Sequence, residues 1–192
     1  MSGAIPGLQV IEAWIDEEAE RSLLEAVDAS PWRADLARRV QHYGYRYDYK
    51  ARSVDASMHL GPLPPWAEAL CARIHREGLT DRQADQVIVN EYQPGQGIAR
   101  HIDCIPCFGP TVLSLTLGSG CVMDLHGPGD GPRVPLTLRP RSLLVLAGEA
   151  RSRWGHSIAG RKSDVVDGAR VPRGRRVSLT FRTVRVGGAT AR

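Results

Sequence analysis

The run Val112-Leu113-Ser114-Leu115-Thr116-Leu117, followed after a glycine-rich turn by Val122-Met123-Asp124-Leu125, decides the fold class. Both runs are short and apolar or alternating, which is typical of β-strands bounded by turns. Runs of the same kind recur at residues 87–89, 134–138, 143–146 and 177–181. Many short strands at this spacing favour a β-sandwich or a jelly roll over alternating βαβ units.

Two helices are predicted ahead of these strands. Asp16 stands where a helix cap is expected, acids fill the next turn, and an apolar face follows at positions 23, 24 and 27. The second helix runs from about Pro65 to Glu77, with apolar residues near period 3.6, and Gly78 ends it. The fold class is therefore mainly β (α+β).

Length and composition indicate one globular domain spanning residues 1–192. Hydrophobic residues make up 42% and charged residues 24%, which is ordinary for a soluble protein. No stretch reaches the roughly 20 apolar residues of a membrane span, and the first residues do not read as a signal peptide. We therefore expect a cytoplasmic protein without a membrane partner.

The net charge of +4 hides an asymmetry along the chain. Residues 1–132 carry 11 Lys/Arg and 18 Asp/Glu, whereas residues 133–192 carry 14 and 3. This basic third indicates an anionic partner, with nucleic acid as the first candidate. The alternative is a solvated arginine-rich surface. Residues 160–175, polar and rich in Gly and Arg, are predicted to form a long loop.

The four cysteines give no sign of a zinc site. Cys104 and Cys107 form a C-x-x-C motif, but no second pair follows at zinc-ribbon spacing. In a reducing cytosol we expect plain thiols.

His101-Ile102-Asp103 is the sharpest local motif. Residues two apart on an extended segment point to the same side, so an imidazole and a carboxylate meet at one point. His156 follows just beyond a predicted strand, as a distal ligand would in a jelly roll. Two histidines and one carboxylate leave coordination positions open on iron, which suit a keto acid and O₂.

The last predicted strand supplies a second polar cluster. Its alternation places Arg176, Ser178, Thr180 and Arg182 on one face and Val177, Leu179 and Phe181 on the other. Two guanidiniums facing the interior need an anion, because an unpaired buried charge is costly. A dicarboxylate such as 2-oxoglutarate meets that need. The alternative is an edge strand with its arginines in water.

With these residues in place, the sequence resembles the AlkB family of Fe(II)/2-oxoglutarate dioxygenases between about residues 40 and 186. The matching elements, in chain order, are Asn90-Glu91-Tyr92 with Gly95–Gly97, His101-Ile102-Asp103, 113–118, 141–151, His156 and the R-x-x-x-x-x-R of 176–182. Local strings such as Tyr92–Ile98 are most similar to the branch that includes a tRNA wobble-uridine hydroxylase.

The resemblance implies a double-stranded β-helix (jelly roll) with N-terminal supporting helices. Residues of about 1–85 would form those helices and a substrate lid, and about 86–186 the catalytic core. Iron would be bound by His101, Asp103 and His156, and the cosubstrates would be 2-oxoglutarate and O₂. The 2-oxoglutarate site would use Asn90, Tyr92, Arg176, Ser178 and Arg182.

The implied reaction is oxidative demethylation or hydroxylation of alkylated bases in DNA or RNA, as in DNA repair or RNA modification. Tyr43, Tyr45, Tyr47 and Tyr49, if extended, would share one face and could stack on an extruded base. A tyrosine-rich strand packed on the first helix is the alternative.

Arg161 and Lys162, with Arg173 and Arg175, are candidates for phosphate contact in a basic loop bordering the active site; a basic loop without a ligand role is the alternative.

One position departs from the pattern of DNA-repair members. They carry an acid two residues beyond the iron-binding aspartate, where Ile105 stands here. An oxygenase acting on a protein side chain or a small molecule is therefore the alternative function, and a binding module on a degenerate scaffold is the third reading. We expect a monomer.

Overall fold

The computed structural model describes residues 5–34 and 37–186, and within them the chain forms strands, three α-helices and one 3-10 turn at Ala56–Met58. The α-helices are α1 (Glu17–Asp28), α2 (Pro65–Arg76) and α3 (Gly148–Ser152). The strands are β1 (Leu8–Ile11), β2 (Val40–Tyr43), β3 (Gln86–Tyr92), β4 (Ile98–His101), β5 (Phe108–Gly118), β6 (Cys121–His126), β7 (Arg133–Leu138), β8 (Leu143–Leu146), β9 (Gly155–Ile158), β10 (Ser163–Val166), β11 (Ala169–Pro172) and β12 (Arg176–Val184).

Two antiparallel sheets form the body of the molecule. The larger has the order β1-β8-β5-β12-β3-β2, and the smaller has the order β4-β9-β6-β7. Side chains from both sheets pack together, as Met123 and Leu125 of β6 do with Leu144 and Leu146 of β8. This is the jelly roll that the strand spacing predicted.

Helices α1 and α2 cover the outer face of the larger sheet. Asp16 caps α1 by accepting a hydrogen bond of 2.8 Å from the Ala19 amide, which satisfies one of the free donors of the first turn. Pro65 begins α2, where a missing N–H costs nothing. Both helices lie where the sequence predicted them, and their apolar faces bury Val27 and Ile74 completely.

The N-terminal part also contributes two strands, which the sequence did not predict. Strand β1 pairs with β8 in register Leu8↔Leu146, and β2 pairs with β3 in register Val40↔Asn90. Both are four residues long, too short for a period to be recognised in the sequence. The larger sheet is therefore closed on both edges by strands from before residue 86.

The predicted long loop at residues 160–175 is wrong. This segment contains the antiparallel hairpin β10–β11, turning at Asp167 and Gly168, whose φ angles are 51° and 80°. Positive φ at both central residues is the geometry that Asp-Gly hairpin turns adopt. The Asp-Gly signal was present in the sequence, but the surrounding charge obscured it.

The expectation of plain thiols is wrong for two of the four cysteines. Cys104 and Cys107 form a disulfide, with their Cα atoms 5.3 Å apart. The turn that follows Asp103 brings the two side chains together, and both are buried. Cys71 and Cys121 are free and buried.

Candidate metal and cosubstrate site

Two strands of the smaller sheet bring the predicted metal ligands together. His101 on β4 and His156 on β9 face each other in register, with ring centroids 4.3 Å apart. Asp103 follows two residues after the end of β4, and its Oδ2 lies 3.8 Å from His156 Nε2. One ligand atom from each of the three residues lies within 4.8 Å of the others. Such a spacing fits a single metal ion.

The electrostatics keep these groups in the forms that bind a cation. Burial opposes ionisation of Asp103, but the charges of Arg182 and the nearby histidines and Arg151 outweigh it and hold its pKa well below the usual range. Burial lowers the pKa of His156 to about 4, so its imidazole is neutral at pH 7. His101 Nδ1 lies 2.8 Å from the Ala99 carbonyl oxygen, which favours a proton there and leaves Nε2 free to ligate.

Two arginines orient the carboxylate. Arg182 Nη2 donates a hydrogen bond of 2.5 Å to Asp103 Oδ1. Arg151, buried at the end of α3, donates to the backbone carbonyls of Asp103 and Cys104 at 2.9 and 3.2 Å. These bonds fix both the side chain and the backbone of the loop that presents Asp103.

A cavity of about 360 Å³ opens beside this cluster and extends between the two sheets. Arg176 lines it at 3% exposure, with its Nη2 donating 3.0 Å to Thr116 Oγ1 and its guanidinium 5.4 Å from the centre of the Tyr92 ring. Its Nε has no hydrogen-bond partner, and among the described residues no carboxylate forms an ion pair with it. A buried cation without an anion is costly, so a carboxylate-bearing ligand fits this end of the cavity.

The other residues predicted to hold 2-oxoglutarate line the same cavity. They are Asn90, Tyr92, Ser178 and Arg182. Asn90 Oδ1 accepts a 2.9 Å bond from Arg38 Nε, and Ser178 Oγ lies 2.8 Å from Ser114 Oγ. The residues present therefore fit both a divalent metal and a dicarboxylate in one cavity.

The alternation predicted for β12 is confirmed. Arg176, Ser178, Thr180 and Arg182 line the cavity, while Val177, Leu179 and Phe181 belong to the core beneath the helices. The strand lies between β5 and β3. The alternative of an edge strand with solvated arginines is therefore wrong.

The four tyrosines do not share one face. Strand β2 ends at Tyr43, and Gly44 has a φ of 75°, so the extended run breaks there. Tyr43 packs edge-on against Trp66 beside the helices, and Tyr45 packs against His59. Only Tyr47 and Tyr49 of the four line the cavity.

The predicted basic loop does not line the cavity. None of its four candidates for phosphate contact is among the lining side chains, namely Arg161, Lys162, Arg173 and Arg175. Arg161 and Arg173 both bind Asp164, at 2.6 Å each. Arg175 binds Glu91 and Asp28. Asp164 carries one negative charge against two guanidiniums, so these ion pairs offset the positive charge of the segment in part. Phosphate contact by Arg161, Lys162, Arg173 or Arg175 stays a prediction.

The sequence did not reveal four further arginines at the site. Arg151 orients Asp103, and Arg38, Arg52 and Arg100 line the cavity. The local signals available were that Arg100 precedes His101 and that Arg151 ends the segment 141–151, which resembles the family. The others come from distant positions, which no local pattern connects to the metal ligands.

No helix in the described part of the chain has the length and apolar character that crossing a membrane requires.

Comparison with known proteins gives concordant matches. A family model described as "2OG-Fe(II) oxygenase superfamily" matches residues 7–182. The tRNA (carboxymethyluridine(34)-5-O)-methyltransferase ALKBH8 of Macaca fascicularis is 41% identical across 94% of this chain, which spans 31% of that relative's length. The probable RNA/DNA demethylase ALKBH6 of Danio rerio is 31% identical across 94% of this chain and 87% of its own length.

The fold has its counterpart among solved structures. The structure of OsALKBH1 superposes with a TM-score of 0.67, covering 94% of this chain and 98% of that one, at 17% identity. Sequence, fold and site geometry thus agree, and the chain belongs to the 2OG-Fe(II) oxygenase superfamily and, within it, to the AlkB family of dioxygenases.

Proposed function

We propose that this dioxygenase demethylates or hydroxylates modified bases in nucleic acid, with Fe(II) bound by His101, Asp103 and His156. The observation that carries the proposal is the union, in one cavity, of this three-residue cluster and the unpaired Arg176. Iron and 2-oxoglutarate, when bound with O₂, supply an oxidation in which 2-oxoglutarate becomes succinate and CO₂ and one oxygen atom enters a substrate C–H bond.

The chain's own residues would position the reactants. Arg176 would hold the distal carboxylate of 2-oxoglutarate, with Asn90, Tyr92 and Ser178 along its length. Arg182 would keep Asp103 ionised and oriented. The apolar walls of the cavity, such as Leu113 and Leu144 near its base, would exclude water from the cosubstrate.

RNA is the first substrate class to test. The ALKBH8 proteins of Macaca fascicularis and Mus musculus are named for tRNA modification, although this chain spans only about a third of their length. In addition, Asp103 is the one carboxylate among the cavity-lining residues of the described chain, and Ile105 is outside the lining. The cavity therefore offers donors to the carbonyl groups of a uracil and no free acid for the exocyclic amine of adenine or cytosine.

Mass spectrometry tests the function directly. The protein, Fe(II), 2-oxoglutarate and O₂ are incubated with tRNA and with methylated DNA and RNA oligonucleotides, and base masses and succinate are measured. We expect a mass change in at least one base, with stoichiometric succinate. His101→Ala should abolish both signals. If succinate forms and no base changes mass, the nucleic-acid assignment is wrong and a protein or small-molecule substrate takes its place.

A monomeric state and a cytoplasmic location also stay predictions. Size-exclusion chromatography with light scattering would test the first, and cell fractionation the second.

A further inference from the structure

Charge in the cavity is unbalanced. Among the described residues, five arginines and one carboxylate, Asp103, line it. The arginines are Arg38, Arg52, Arg100, Arg176 and Arg182. A divalent metal and a dicarboxylate carry equal and opposite formal charge, so binding both leaves the positive excess in place. Arg182 pairs with Asp103, and Arg176 is placed for the cosubstrate, but the other three have no such role.

These three, which we call the mouth arginines, are held by neutral groups. Arg38 is half-buried and donates to the Asn90 side-chain oxygen at 2.9 Å. Arg52 is exposed and donates a long bond of 3.4 Å to the Ile102 carbonyl oxygen. Arg100 is exposed and donates 3.0 Å to the Gly127 carbonyl oxygen. Within residues 5–34 and 37–186, none of the three forms an ion pair with an acid, so no carboxylate of these residues offsets their charge.

Elsewhere on the molecule, arginines are commonly paired with acids. Examples, each within 3.5 Å of a carboxylate oxygen, are Arg39, Arg133, Arg139, Arg141, Arg161, Arg173 and Arg175. Arg21, Arg46, Arg76, Arg170 and Arg185 also form no ion pair among the described residues, so the mouth arginines are distinguished by lining the cavity beside the metal-ligand cluster. A guanidinium offers a planar fork of donors that matches phosphate oxygens.

We propose that the mouth arginines bind the phosphodiester backbone of a single-stranded nucleic acid whose target base enters the cavity. This inference rests on the proposed function. Tyr47 and Tyr49, whose rings meet edge to face at 5.1 Å, line the cavity and offer an aromatic contact for that base. Phosphates outside and a base inside would then be held by separate groups of this chain.

Fluorescence anisotropy with a labelled single-stranded RNA tests the proposal. The probe RNA carries the modified base that the mass measurement identifies, and Mn(II) replaces iron to prevent turnover. We expect Arg38→Gln, Arg52→Gln and Arg100→Gln each to weaken binding about fivefold at about 0.1 M salt, because one phosphate contact on a single strand contributes a slope of about 0.7 in log K against log salt. The slope should fall by about 0.7 with each variant.

Arg170→Gln is the matched control. Arg170 is exposed on β11, forms no ion pair among the described residues and does not line the cavity, so its loss removes the same charge from a different place. We expect wild-type binding. The lysine variants Arg38→Lys, Arg52→Lys and Arg100→Lys keep the charge and guard against misfolding; they should bind better than their glutamine counterparts and keep the wild-type salt slope.

Three results would overturn the proposal. They are unchanged affinity in all three glutamine variants, an equal loss in Arg170→Gln, and a free modified nucleoside that binds as tightly as the oligonucleotide. Failure of the proposed function is distinct, since it appears as unmodified bases with the wild-type enzyme. If wild type oxidises a base and the glutamine variants show wild-type KM for the oligonucleotide, only the mouth-arginine proposal fails.

Discussion

The environment of Arg176 indicates an anionic ligand more clearly than that of any other side chain described above. Arg176 is buried, its Nε has no partner among the described residues, and its guanidinium contacts the Thr116 hydroxyl and the Tyr92 ring. The sequence predicted its inward direction, because strand alternation sets the face of each residue. It did not predict that Asp103 would pair with Arg182 and leave Arg176 as the free anchor, since that distinction depends on tertiary distances.

We predict that Arg176→Met lowers the affinity for 2-oxoglutarate by about 10- to 150-fold. A hydrogen bond to a charged group contributes about 1.5–3 kcal/mol, and the variant removes it together with the charge. Isothermal titration with Mn(II)-loaded protein measures the change. Arg170→Met, outside the cavity, should bind as wild type. Equal affinity in Arg176→Met and wild type would place the cosubstrate elsewhere.

Arg151 is predicted to act on the metal through the backbone. Its two donated bonds hold the carbonyls of residues 103 and 104, and a lysine ammonium, a compact point charge, does not reproduce that planar fork. We expect Arg151→Lys to lower Co(II) affinity about tenfold, measured by the visible absorption of the bound ion. Arg153→Lys, at an exposed arginine two residues further along the chain, should leave the titration unchanged. An unchanged titration in Arg151→Lys contradicts this role.

At the scale of elements, the hairpin β10–β11 depends on one carboxylate. Asp164 is buried, accepts bonds from Arg161 and Arg173, and receives the Val122 amide at 3.1 Å, which ties the hairpin to β6. Burial opposes its ionisation, but these bonds lower its pKa nonetheless.

We predict that Asp164→Asn destabilises the protein by about 3 kcal/mol, because the substitution leaves Arg173 buried without its partner. Urea unfolding measures the loss, and hydrogen exchange should show faster exchange within 163–172. Asp167→Asn at the exposed turn is the control, since Asn also tolerates positive φ there. If the two variants unfold alike, Asp164 does not anchor the hairpin.

The elements recovered from the sequence are those with a strong local signal. The long strand β5 and the helix α1, with its cap at Asp16, were predicted because apolar residues recur at a readable period. Strands β1, β4 and β9 have only four residues each and exist because distant partners pair with them. Local patterns cannot report such pairing.

At the scale of the whole molecule, the charge asymmetry along the chain is largely resolved within the fold. Basic residues of the last third pair with acids of the first, as Arg175 does with Asp28 and Arg141 with Glu20. The Glu91 carboxylate accepts hydrogen bonds from the Nε atoms of both Arg39 and Arg175, each at 2.6 Å. The composition predicted a basic face. Because many arginines are paired with acids, only the unpaired arginines can contribute to such a face.

The contribution of the ion pairs of Glu91 to the free energy of unfolding can be measured as a function of pH. The hydrogen bond from Arg39 lowers the pKa of Glu91, and the hydrogen bond from Arg175 lowers it further. Together they outweigh the opposite effect of burial and bring the pKa to about 2. The stabilisation is therefore present above pH of about 4.5 and is lost as the pH falls through about 2. We expect Glu91→Gln to lower the free energy of unfolding at pH 7 by about 2–3 kcal/mol, with the difference from wild type shrinking below about pH 4.5.

Denaturant titrations between about pH 2 and pH 7 check this expectation. Glu25→Gln, at an exposed position of α1, is the control and should follow the wild-type curve. A Glu91→Gln difference that stays constant down to the lowest pH would show that packing, and not ionisation, accounts for it.

The alternation of side chains along strand β12 restricts which insertions and deletions this sequence can tolerate during evolution. Its even positions face the cavity and its odd positions face the helices, and neighbours on both sides hold its register. Inserting or deleting one residue would exchange the two sets and drive arginines into the apolar core. We therefore expect library selections to accept apolar substitutions of similar volume at 177, 179 and 181, and to eliminate every single-residue insertion or deletion between 176 and 182.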